Sequence, residues 1–102
     1  MEISFKYLLQ MSRLLTDKLY NDNDLIKMYN FILSIDNSAL NEYLTTKTLF
    51  SYENDLELYL EVSKNILNIF EETENYEFCF EIKKKIDYCQ IIINKNKQLT
   101  NE

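Results

Sequence analysis

The sequence predicts an all-α fold, a four- or five-helix bundle ending in a long antiparallel helical hairpin, and three observations carry that prediction. The 102 residues include no Gly and no Pro, where average usage would supply about a dozen of the two together. Tight β-hairpin turns need Gly or Asn, so this composition turns the reading away from sheets. Apolar residues recur at three- and four-residue steps along the chain, the spacing of amphipathic helices. The breaks between these runs are polar clusters whose side-chain oxygens can cap a following helix. They are Asn21-Asp22-Asn23-Asp24, Asp36-Asn37-Ser38, Ser51 through Asn54, and Glu72-Thr73-Glu74-Asn75.

Five helices follow, near residues 3–20, 23–34, 38–49, 54–71 and 75–96. The first presents Phe5, Leu8, Leu9, Met11, Leu15 and Leu19 to the core. The second offers Leu25, Met28, Tyr29, Ile32 and Leu33, and the third Leu40, Tyr43, Leu44 and Phe50. Helix four presents Leu56, Tyr59, Leu60, Ile66, Leu67, Ile69 and Phe70. In helix five, Cys79, Ile82, Ile86, Cys89 and Ile93 step by 3, 4, 3 and 4, a seam that packs lengthwise along a partner helix. Helix four, one short polar turn away, is that partner. The length suits one domain: residues 1–98 as a single helical unit, with 99–102 a frayed C-terminal tail.

Helix five carries more apolar residues than one seam needs, since Phe78, Phe80, Tyr88, Ile91 and Ile92 lie off or beside the stripe. A helix apolar over so much of its circumference is sandwiched within its own domain or covered by another chain. Core filling accounts for most of the eight Tyr and six Phe.

Composition excludes several functions. Acids outnumber bases 17 to 11, the net charge is −6, and Arg13 is the single arginine. Binding to nucleic acid or to anionic lipid depends on Lys and Arg, so direct contact with nucleic acid or membrane is not expected. Apolar runs as short as Ile91-Ile92-Ile93 fall far below the ~20 residues that span a bilayer. The segment MEISFKYLLQ lacks the basic and apolar regions of a secretory leader, which makes the reducing cytoplasm the expected compartment. Cys79 and Cys89 fit it as buried thiols. Ten residues apart on one helix, their Cα atoms stand about 15 Å from each other, beyond disulfide reach.

With no His, the usual general base and the commonest zinc ligand are missing. Asp22-Asn23-Asp24 resembles the start of an EF-hand loop, but the Gly is absent and Leu33 occupies the twelfth position. Phosphate-loop, dinucleotide, metalloprotease and hydrolase motifs are also missing. The expectation is therefore no catalytic residues, no cofactor and no metal.

Charge is uneven. Residues 1–50 hold 6 acids and 5 bases, whereas residues 51–102 hold 11 and 6. At 100° per residue, Glu53, Glu57, Glu61, Asn65, Asn68 and Glu72 share one side of helix four. A solvated face would look the same. The sharper reading is an acidic strip that meets a basic groove on a partner, one that normally holds nucleic acid.

The segment Asn75-Tyr76-Glu77-Phe78-Cys79-Phe80-Glu81-Ile82-Lys83-Lys84-Lys85-Ile86 resembles the second half of a UVR motif, the helical hairpin of the excision-repair proteins UvrB and UvrC and of some Clp-protease adaptors. Tyr76 and Glu77 match its opening aromatic–Glu pair, Cys79 a small position, Ile82 and Ile86 its aliphatics, and Lys83 its basic position. Phe80 replaces a small residue and Lys84 an Asp, the first of which should alter how closely the two helices approach. The resemblance spans at most Asp55 to Gln90, and it implies docking onto partner proteins without chemistry.

Three functional readings follow. In the first, the chain binds another protein, such as a nucleic-acid-processing complex, and modulates or inhibits it. In that respect it is similar in kind to phage-encoded inhibitors, including anti-CRISPR proteins. The residues expected to carry binding are Glu53, Glu57, Glu61 and Glu72, with Tyr76, Phe78 and Phe80 as apolar anchors. In the second, it is a structural or assembly subunit, a homodimer or larger assembly, using the apolar surplus of helix five. In the third, it is a UVR-like adaptor docking through Tyr76 to Ile86.

Overall fold

The computed structural model describes residues 5–46 and 55–100. Five helices occur among them: α1 (Phe5–Thr16), α2 (Asp22–Ser34), α3 (Asn37–Thr46), α4 (Asp55–Glu72) and α5 (Tyr76–Thr100). No strand occurs among the described residues. The all-α bundle with its terminal hairpin is therefore the fold. Helix α5 continues to Thr100, past the position where a frayed tail was expected.

Among the described residues, two chain reversals are made without glycine by left-handed residues, Lys18 (φ 56°) and Glu74 (φ 62°). At the end of α1 the Leu19 N–H donates to the Leu14 carbonyl at 2.9 Å and the Lys18 N–H to the Leu15 carbonyl at 3.4 Å. At the end of α4 the Asn75 N–H donates to the Phe70 carbonyl at 2.8 Å and the Glu74 N–H to the Glu71 carbonyl at 3.2 Å. Each is a Schellman motif, whose left-handed position usually holds Gly. The first ends α1 at Thr16, short of the expected residue 20, and leaves Leu19 67% exposed instead of in the core.

The polar clusters start helices as their chemistry suggests. The Asn21 side chain accepts from the Asp24 N–H at 2.8 Å while the Asp24 carboxylate accepts from the Asn21 N–H at 3.1 Å, a capping box. Asp36 accepts from the Ala39 N–H at 2.8 Å and caps α3. The Asn75 side chain instead donates to Thr73 Oγ1 at 2.8 Å, fastening the turn rather than capping α5. The cluster Ser51 through Asn54 lies outside the described residues.

Helices α4 and α5 form the most extensive pair, with α1 against α4, α3 against α5 and α2 against both. The hairpin is one layer and α1–α3 the other. Leu8, Met11, Leu15, Leu25, Met28, Tyr29, Ile32 and Leu40 are buried from the three-helix layer. Tyr59, Leu60, Ile66, Phe70, Cys79, Ile82, Ile86 and Cys89 meet them from the hairpin. Tyr59 Oη donates to the Ile32 carbonyl at 2.5 Å and joins the layers. Val62 and Ser63 are also fully buried, and the Ser63 hydroxyl donates to the Tyr59 carbonyl at 2.8 Å, so that polar group is satisfied within its own helix. The expected core positions Phe5, Tyr43, Leu44, Phe50, Leu56 and Ile93 lie outside the described side chains.

The apolar surplus of α5 divides in two. Ile92, expected beside the stripe, is 2% exposed, because a three-residue step from Cys89 again faces inward. Phe78 and Tyr88 are half-buried against the core. Phe80 and Ile91 remain outside.

Candidate functional site

Two outward faces of the hairpin come into view. On α4, Glu57, Glu61, Asn68 and Glu72 are exposed and Asn65 is half-buried. They lie opposite the buried positions Tyr59, Ile66 and Phe70 on the helical wheel. Glu72 with Asn65 and Asn68 borders a shallow cleft of about 280 Å³ completed by Thr16, Lys18 and Tyr20 of the α1 end. The remaining strip residue, Glu53, lies outside the described residues.

On α5, Tyr76 is 64%, Phe80 61% and Ile91 51% exposed. Residues 76, 80, 84, 87 and 91 fall within one outward sector of the helix, so these three side chains share a face with Lys84 and Asp87. Lys84 Nζ lies 4.3 Å from the Phe80 ring centroid and 3.8 Å from Glu81. Ile91 was missing from the expected anchor set, although its wheel position relative to Tyr76 and Phe80 would have placed it there.

Phe78 is not on that face. Its ring stacks on Phe70 and meets Tyr29 edge-on, with centroids 4.9 and 5.1 Å apart. Phe78 thus belongs to an aromatic cluster joining α2, α4 and α5 and is half-buried there. It also forms part of a cleft of about 470 Å³ with an apolar floor of Leu25, Ile26, Ile69 and Phe70. Phe80, expected to alter how closely the two hairpin helices approach, is exposed and so does not set their spacing.

The buried ionisable groups are held neutral or engaged. Burial pushes the Cys89 thiol up to about 12, partly offset by Lys85, and also raises Cys79. Burial raises the Tyr29 phenol, with Glu81 and Glu77 adding to the effect. Burial pulls the Lys85 ammonium below its ordinary range, and that group donates to Asn37 Oδ1 at 3.1 Å. A thiol held protonated in apolar surroundings is a poor nucleophile. Both cysteines are free and buried. No cluster of three metal-ligating side chains occurs among the described residues, and no helix there is long and apolar enough to cross a membrane.

No protein-family model, curated protein or solved structure matches this chain. The reading of function therefore rests on the geometry of the two faces.

Proposed function

We propose that this chain is a non-catalytic protein that binds another protein and modulates it, presenting the acidic strip of α4 to a basic surface on that partner. The supporting observation is the exposure of Glu57, Glu61 and Glu72 along one side of α4, in a stretch from residue 53 to 81 with nine acids and Lys64 as the sole base. Such an array raises encounter rates with a basic groove and selects against acidic partners. A basic groove that ordinarily holds nucleic acid fits the strip's charge, and occupying it would inhibit the partner.

The test is capture of partners from a cell extract by the wild-type chain and by a variant carrying Glu57→Lys, Glu61→Lys and Glu72→Lys. Basic proteins held by the wild type and released by the variant support the strip. An identical captured set for both argues that the strip is only solvated.

A second reading, a subunit that acts through self-association, is favoured by Tyr76, Phe80 and Ile91 on the outer face of α5. It does not compete for the α4 strip.

A further inference from the structure

We infer that the outer face of α5 pairs with the same face of a second copy, antiparallel about a two-fold axis passing between Lys85 and Ile86. The inference rests on the self-association reading and adds to it an orientation and a register. The residues exposed on that face are Tyr76, Phe80, Lys84, Asp87, Ile91 and Asn94, with Glu77 and Lys95 at its margin. A two-fold axis at this point sets each residue against a chemically matching one. Phe80 meets Ile91 of the second copy, and Lys84 meets the second copy's Asp87. Lys95 reaches the Tyr76 ring of the second copy, a cation–π arrangement. Each contact occurs twice, as a two-fold interface requires.

The parallel alternative fails on charge. It places Lys84 against Lys84 and Asp87 against Asp87, and like charges across a helix pair repel. The antiparallel arrangement converts both repulsions into ion pairs. Three apolar side chains per copy make a small interface, which corresponds to a weak, concentration-dependent dimer.

The experiment is light scattering and sedimentation of the full chain from about 10 µM to about 1 mM, under reducing conditions. The wild type should pass from monomer to dimer over that range. Phe80→Asp and Ile91→Asp, both at exposed positions, should each hold the chain monomeric with unchanged helical circular dichroism. Lys84→Glu alone and Asp87→Lys alone should each weaken the dimer by about tenfold. The double variant should recover it, because exchanging the two charges restores both pairs. A wild type that stays monomeric at the highest concentration overturns the pairing together with the self-association reading. A dimer that ignores these substitutions, or a double variant as weak as the singles, overturns this face and register but leaves self-association standing.

Discussion

The rings of Phe70 and Phe78 stack across the α4–α5 turn, with centroids 4.9 Å apart and planes inclined by 19°. Tyr29 of α2 meets both edge-on, at 5.4 and 5.1 Å. Three helices therefore converge on one aromatic cluster at the closed end of the hairpin. Phe78 and Phe80 are two residues apart yet differ completely in environment. Phe78→Ala should destabilise the protein by about 2–4 kcal/mol, from lost burial and ring contacts. Phe80→Ala, at an exposed position, should stay within about 0.5 kcal/mol. Urea unfolding measures both, and equal costs would contradict the placement of Phe78.

The left-handed residues at the two helix ends should be open to improvement. A side chain at positive φ costs about 1–2 kcal/mol relative to Gly, and Gly recovers part of this after paying its greater unfolded-state entropy. Lys18→Gly and Glu74→Gly should each stabilise the fold by about 0.5–1 kcal/mol, seen as a higher thermal midpoint. A lower midpoint for both would contradict the Schellman geometry.

Alkaline pH should weaken the fold through Cys89. Its thiol is raised in the folded state to about 12, so between the ordinary thiol range and about pH 12 the unfolded chain has lost a proton that the folded chain keeps. Stability conferred by the neutral thiol is complete below about pH 8.5 and falls above it by about 1.4 kcal/mol per pH unit. Lys85, held low by burial, acts in the opposite sense as its ammonium titrates. The comparison of wild type with Cys89→Ala isolates the thiol. Urea midpoints at pH 8 and pH 10 should drop more for the wild type, and parallel slopes would contradict the assignment.

The same burial shields both thiols from reagents. Cys79 and Cys89 should react with an alkylating agent at pH 8 only as fast as the protein opens, and fully once denaturant is added. Rapid labelling of the native protein would show that one of them is reachable.

Much of this fold was legible because helical spacing carries through the sequence. The steps from Cys79 to Cys89 gave the buried seam of α5, and the polar cluster from Asn21 to Asp24 gave the start of α2 to within a residue. Helix ends were less legible. Lys18 and Glu74 are ordinary residues whose left-handed backbone follows from closing the helix, so nothing in their identity marks the stop. Leu19 reads as core on a continued helix and is exposed because the helix ends first.

Within α5 the pattern was ambiguous for a physical reason. Real helices advance 3.6 residues per turn, so a stripe counted in steps of 3 and 4 drifts around the axis. That drift brings Ile92 inward while leaving Ile91 outside. Phe78 and Phe80 stand about 200° apart on the helical wheel, so spacing alone turns Phe78 towards Phe70 and Tyr29 and leaves Phe80 outside. The exposure of Glu57, Glu61 and Glu72 could be read from charge alone, but what the strip meets depends on a second molecule.

The most direct measurement is the affinity of a captured partner for the wild-type chain and for the Glu57→Lys, Glu61→Lys, Glu72→Lys variant, by calorimetry at low and at physiological salt. If the α4 strip binds a basic surface, wild-type affinity falls as salt rises, and charge reversal weakens low-salt binding by about tenfold or more while flattening the salt dependence. Equal affinities with equal salt dependence would contradict the account.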